Sequence, residues 1–287
     1  MRIDSHLHLW QYVRDEFEWI PDSMASLRRD FLPQELKTLC VEAAVDGVIA
    51  VQARQSLNET CWLLELAQAA PILGVVGWAP LAADDLPAVL EQLTQEPLLK
   101  GLRHIAQGEP EILACPKFLR GMQCLQRTGL VYDLLLYADQ LPLALPFIDR
   151  FPRQMFVLDH MGKPAIARGE ITTWRDHLRE LAQRPNVCCK VSGLVTEADP
   201  AAWTASQLQP YLHTALECFG PHRLMIGTDW PVCTAGCSYK SWWALVEDWT
   251  APLSAAERDA LLGDTAIRIY SLQTSPTQLG TSMGATA

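Results

Sequence analysis

Eight short, almost unbroken apolar runs limit what this chain can fold into. They cover residues 1–10 (MRIDSHLHLW), 46–53, 72–80, 99–105, 129–137, 154–162, 186–194 and 223–231. Strands buried on both faces read as continuous apolar runs rather than as alternation, which is the pattern of a parallel sheet covered by helices. Helical periodicity fills the segments between the runs. NETCWLLELAQAA follows the second run, with Asn58 as the expected N-cap. Ser254 and Glu257 have the spacing of a capping box. Eight strand–helix units within about 250 residues is the number that closes a barrel. The expected fold is therefore α/β, a (β/α)8 TIM barrel in one domain over residues 1–272, with a small polar tail over 273–287 expected to be flexible. An open doubly wound sheet is the alternative, but no glycine-rich phosphate loop follows the first run. A long connection does follow it, over residues 10–33, and its length is that of a lid or binding loop.

Composition narrows the partners. At 287 residues and 49% hydrophobic, the chain can bury a large core. A formal charge of −10 without any basic run argues against nucleic acid or an anionic membrane as partner. No apolar stretch reaches the roughly 18 residues of a membrane span. The first residues lack the pattern of a secretory leader. The nine cysteines are scattered without CxxC pairs, so free thiols and a cytoplasmic location are expected. Cys233 and Cys237 form a C-x3-C pair, a weak metal or redox signal without further partners. Trp242, Trp243 and Trp249 suit the packing face of a helix.

A barrel forms its active site at the C-terminal ends of its strands. The first run ends in His6 and His8, which period 2 puts on one face together with Asp4. The second offers Gln52 and Arg54, the third Trp78, the fourth Arg103 and His104, and the fifth Asp133 and Tyr137. The sixth gives Asp159, His160 and then Lys163, the seventh Lys190, and the eighth Asp229 and Trp230. Four of the chain's seven histidines fall at these ends. Buried polar groups are costly unless they are partnered or used, so His6, His8, His160 and Asp229 are read as functional. Asp159 is expected to face away as a capping or bridging group. Lys190 either works in the site or neutralises a carboxylate inside the barrel. Trp10, Trp19, Trp78 and Trp230 lie where a substrate would sit.

The H-x-H of the first strand, LDHMGKP after the sixth and GTDWP on the eighth resemble the amidohydrolase superfamily. DFLPQEL, VQARQSLNET, GLRH, LVYDLLLY, KVSGLVTEAD and RLMIGTDWPVC extend the resemblance over nearly the whole chain, to the amidohydrolase-2 branch of sugar-acid lactonases of the L-fucono- and L-rhamnono-lactonase type. This chain departs from the wider superfamily. Its fourth strand carries GLRHI where a lysine or glutamate is usual, and its fifth has no histidine, which rules against a binuclear centre. The resemblance implies a site that requires no cofactor but can hold one divalent ion such as zinc on His6, His8, His160 and Asp229, N/O ligands that suit it.

The chemistry implied is the opening of an aldonolactone, L-fucono-1,5-lactone or a close stereochemical relative, to its free acid. Asp229 would serve as general base and then acid, while His6, His8 and His160 polarise the carbonyl. Arg103, His104, Gln52, Arg54 and the four tryptophans would bind a neutral polyhydroxylated ring. A dicarboxylate lactone would call for more arginines than Arg54 and Arg103. The expected partner is thus a small sugar lactone, with a homo-oligomer left open. Three rivals stand beside this reading. A metal-dependent decarboxylase of the same branch would share the site residues. A barrel nuclease is disfavoured by the acidic charge and the missing fourth-strand glutamate. A sugar-binding protein would bind a lactone without turnover.

Overall fold

The computed structural model describes residues 1–68 and 71–274. The tail expected over 273–287 lies outside these apart from Gln273 and Thr274. Eight strands pair in parallel in sequence order: β1 (Ile3–Leu7), β2 (Gly47–Val51), β3 (Ile72–Gly77), β4 (Leu99–Ile105), β5 (Val131–Leu135), β6 (Phe156–Leu158), β7 (Val187–Val191) and β8 (Leu224–Ile226). β1 and β8 meet beyond their ends. Leu7 bridges Trp230, the His8 amide donates to the Trp230 carbonyl at 2.6 Å, and the Asp229 amide donates to the His6 carbonyl at 2.8 Å. The sheet thus closes as a (β/α)8 barrel, and each apolar run contains one of its strands.

The helices form the outer layer: α1 (Pro33–Glu42), α2 (Leu57–Leu66), α3 (Leu86–Leu93), α4 (Pro116–Leu125), α5 (Leu141–Arg150), α6 (Thr172–Ala182), the single turn α7 (Leu194–Glu197), α8 (Ala205–Phe219), α9 (Tyr239–Thr250), α10 (Ala255–Asp259) and α11 (Thr265–Ile269). The longer ones turn one apolar stripe inward. In α4 the stripe is Phe118, Gly121, Met122 and Leu125, at helical spacing. In α9, Trp242, Trp243 and Trp249 are buried as expected. Ser254 and Glu257 close the capping box at the start of α10. The N-cap of α2 is Ser56, which accepts from the Glu59 amide, and not Asn58. Asn58 already lies one residue inside the helix, where its side chain cannot reach the orphan amides.

Two layers fill the barrel. Ile3, Ile49, Val51, Val76, Val131, Val157, Cys188 and Met225 make an apolar floor, closed from below by Tyr270 just after α11. Polar side chains occupy the level above. Within β1 the alternation that sorts side chains inward and outward breaks between Asp4 and Leu7, where its pairing with β2 shifts register. A bulge of this kind re-aims side chains. Asp4 therefore does not share a face with His6 and His8. Its carboxylate accepts from the Thr228 amide at 2.9 Å and the Thr228 hydroxyl at 2.6 Å, beside Tyr239 and Cys40 of the helix layer.

Residues 10–33 cross the mouth of the barrel as two short 3-10 turns, Arg14–Glu16 and Asp22–Leu27. Phe17, Ile20, Leu27 and Phe31 anchor the segment, and Trp10 bridges Phe31. Among the described residues, no helix is long and apolar enough to cross a membrane.

Candidate active site

Inside the barrel an ionic cluster rests on the apolar floor. Lys190 of β7 donates to Asp133 Oδ2 of β5 at 2.5 Å and lies 3.1 Å from Asp159 Oδ1. Tyr270 donates its hydroxyl to Asp133 Oδ1 at 2.7 Å. Arg103 of β4 donates to Asp159 Oδ2 at 3.0 Å, to Gln52 Oε1 at 3.1 Å and to the Gln52 carbonyl. Burial pushes the Asp159 carboxyl up, but Lys190, His6 and Arg103 together outweigh it and hold that group well below the usual carboxylate range. Lys190 is thus the neutralising group of one reading above, and it also reaches the site, since its Nζ is 3.2 Å from His6 Nδ1.

Asp159 faces inward, contrary to the expectation that it would cap or bridge elsewhere. Period 2 explains why: Val157 belongs to the apolar floor, so the residue two further on points the same way. The next residue, His160, is non-glycine with a left-handed backbone (φ 53°), as are Met161, Lys163 and Asp229 (φ 60°). Such conformations cost of order 1–3 kcal/mol each and persist where the surroundings over-determine them. At His160 the turn directs the imidazole back over the barrel. Its Nδ1 meets Ser192 Oγ at 2.9 Å.

The four residues read as functional converge above the ionic cluster. His6 Nε2 and His8 Nε2 are 3.3 Å apart. Asp229 Oδ1 is 3.3 Å from His8 Nε2 and 3.8 Å from His6 Nε2. The His6 and His160 rings lie 4.5 Å apart, centre to centre. His8 donates Nδ1–H to the Val51 carbonyl at 2.8 Å, which fixes the ring so that its Nε2 faces Asp229 and His6. Burial depresses the imidazolium of both His6 and His160 far below the ordinary histidine range, so both rings are neutral. Burial works against the Asp229 carboxylate as well, but the hydrogen bond from His8 and the charge of Lys163 keep the group ionised.

A cavity of about 350 Å³ opens over these groups, lined by His8, His160, Asp229, Arg103, Lys163, Tyr137, Gln107 and Trp19, with Ala53, Ile105, Leu135 and Val232 as apolar walls. Of the expected substrate-binding residues, the structure brings only Arg103 and Trp19 to it. Trp10 and Trp230 are buried against Phe31, as aromatic core. On β4 the alternation that turns Arg103 inward turns His104 outward. There it packs on Phe118 and accepts from Trp78 Nε1 at 3.3 Å, which takes both out of the cavity. Gln52 holds Arg103 rather than a ligand. Arg54 is tied to Glu59 and Glu16. Tyr137 and Lys163 were visible at the strand ends. Nothing in the sequence set them apart as cavity residues, because both follow turns whose direction alternation does not predict.

Among the described residues, two sets of donor atoms lie close enough together to hold one cation: His6, His8 and Asp229, and His6, Asp159 and His160. The first set fits a divalent ion such as zinc by its chemistry. It offers two imidazole nitrogens and an ionised carboxylate, with the far nitrogen of His8 fixed by a backbone carbonyl.

A curated relative from Burkholderia multivorans named L-fucono-1,5-lactonase is 44% identical over 288 residues, covering 95% of this chain and 96% of its own length. A second protein of that name, from Burkholderia ambifaria, is 35% identical and covers 80% of each chain. A solved structure of a Burkholderia multivorans amidohydrolase with bound zinc is 43% identical, superposes with a TM-score of 0.91, and covers 95% of this chain and 100% of that one. The amidohydrolase family profile (Amidohydro_2) matches residues 3–272. The match runs from the first residue of β1 to Leu272, the last buried residue described, and the chain therefore belongs to the amidohydrolase family.

Proposed function

We propose that the protein is a lactonase that opens L-fucono-1,5-lactone, or a close stereochemical relative, to the free sugar acid. The observation that carries the reading is the ionised Asp229 carboxylate 3.3 Å from His8 at the barrel mouth, in a chain 44% identical to a lactonase over nearly its full length. A cavity of about 350 Å³ is at the small end of ligand sites. Its apolar walls suit the carbon face of a ring, and Gln107, Tyr137, Lys163 and Arg103 suit hydroxyl edges.

Asp229 Oδ1 takes a proton from the attacking water as the new C–O bond forms. Asp229 then delivers that proton to the ring oxygen as the ester C–O bond breaks, giving a carboxylic acid and a free hydroxyl. Donors at the cavity floor stabilise the developing oxyanion, each worth roughly 3–4 kcal/mol. The neutral imidazoles and the Arg103 guanidinium supply them. His6, His8 and Asp229 would hold a divalent ion, with His160 beside them, and the ion would supply Lewis-acid polarisation of the carbonyl.

A pH-indicator assay over a panel of aldonolactones, with and without chelator, tests the reading. Turnover with L-fucono-1,5-lactone or a near relative among the preferred substrates is expected. Absence of turnover on every lactone, with or without added zinc or manganese, would overturn it and favour the decarboxylase alternative.

A further inference from the structure

A second cavity, of about 400 Å³, adjoins the one over Asp229, and Tyr137 and Lys163 line both. One backbone turn shapes the junction. His160, Met161, Gly162 and Lys163 are all left-handed, with φ of 53°, 53°, 69° and 48°. The turn that aims His160 over the barrel thus ends by setting Lys163 on the wall between the two spaces. Its Met161 carbonyl accepts from Trp174 Nε1 at 2.7 Å, and Trp174 lines the second cavity. Tyr137 is held independently. Its hydroxyl accepts from Gln107 Nε2 at 3.0 Å, and its amide donates to Gln140 Oε1 at 2.9 Å. The partition is built into the fold, and the opening of a single lactone ring uses none of the space behind it.

The charges that line this second cavity are paired with one another. Lys163 Nζ lies 3.3 Å from Glu197 Oε1, and Arg168 donates to the two oxygens of Glu170 at 2.9 and 3.2 Å. Asp139 adds a further carboxylate. An anionic ligand would meet a surplus of negative charge, and an apolar one would strip water from the ion pairs. A neutral polyhydroxylated ring suits both conditions. Its hydroxyls donate to the carboxylates and accept from the ammonium and guanidinium, while its carbon face covers the exposed ring of Tyr137. We propose that the second cavity is a glycosyl subsite, and that the enzyme opens lactones whose ring carries one further neutral sugar. Such aldobionolactones form when a reducing disaccharide is oxidised at its anomeric carbon. The lactone ring occupies the cavity over Asp229, and the glycosidic link passes between Tyr137 and Lys163. The chemical step is unchanged: water adds to the lactone carbonyl, the ring ester C–O bond breaks, and the glycosidic bond stays intact. The inference rests on the lactonase reading and extends its substrate class.

The test is hydrolysis of lactobiono-1,5-lactone and cellobiono-1,5-lactone by the whole protein, each compared with D-glucono-1,5-lactone, the same ring without its sugar. At least one disaccharide lactone should show kcat/KM about tenfold or more above that of D-glucono-1,5-lactone, chiefly through KM, since the added contacts are remote from the reacting atoms. Ala167→Trp puts a large side chain into the second cavity from an exposed turn, and Thr173→Trp does so from the first turn of α6. Each should remove the advantage and leave D-glucono-1,5-lactone turnover nearly unchanged. Disaccharide lactones no better than D-glucono-1,5-lactone, or an advantage that survives both variants, overturn the inference and leave the lactonase reading intact. An equal loss on both kinds of substrate would make the second cavity a path to the site, and overturns it too. Failure to open any single-ring lactone defeats the lactonase reading, and the inference with it.

Discussion

His160 depends on a residue that never touches the cavity. Gly193, at the start of α7, has φ +68°, and a Cβ there would stand 2.7 Å from His160 Nδ1. Gly129 has φ +79° with nothing within 4 Å of its would-be Cβ. Gly193→Ala and Gly129→Ala therefore share a left-handed strain of about 1–2 kcal/mol, but only the first displaces a site imidazole. Gly193→Ala should lower kcat by about 10²-fold, the order expected for a misplacement near 1 Å, while Gly129→Ala retains activity. Equal kcat values would remove His160 from the chemistry. Legibility at this scale divides along the backbone. His6 and His8 could be read because they stand in a strand with period 2. Asp159 could have been read from Val157 by the same rule. Tyr137, Lys163 and the aim of His160 could not, since they follow strand ends and left-handed turns.

The same limit appears in whole elements. All eight strands were legible because burial on both faces leaves an apolar run, and their order followed from the count. Two departures came from local hydrogen bonding. The bulge in β1 sends Asp4 to Thr228, and the hydroxyl of Ser56 takes the cap expected of Asn58. The segment over residues 10–33 divides its tryptophans between packing and site. Trp10 is fully buried, whereas Trp19 is 46% exposed and lines the cavity. Both are large aromatics in one loop, and sequence alone does not separate the roles. Trp19→Ala should raise KM several-fold with kcat nearly unchanged, the pattern of binding shared by ground and transition states. A fall in kcat at constant KM would instead place the indole against the reacting atoms.

Across the whole molecule, the site's charge arrangement has a cost that depends on pH. His6 and His160 are neutral when folded, with ionisation pushed well below the ordinary value near 6.5. Below about pH 6.5 the unfolded chain binds protons that the fold excludes. The stability from these two groups is therefore complete above that pH and falls as pH drops. The loss is about 1.4 kcal/mol per pH unit for each ring until its folded pKa is reached. The depressed carboxylates Asp159 and Asp229 act in the same direction further down, losing their contribution below about pH 4 as they protonate. Urea midpoints should hold level from pH 8 to 7 and decline clearly by pH 5. Asp4 and Asp133, whose burial pushes their carboxyls up to about 6, act in the opposite direction, since the fold takes up their protons as the pH falls; a flat profile over that range would mean that they match the loss from the rings.

The central claim is that Asp229 moves the proton in lactone opening. It is tested most directly by comparing kcat of Asp229→Asn with that of the wild-type enzyme on L-fucono-1,5-lactone, at saturating substrate and in the presence of chelator. The account predicts a loss of about 10²- to 10⁴-fold, the usual range for removing a general acid–base group. A variant that turns over within a few-fold of the wild-type rate would contradict it.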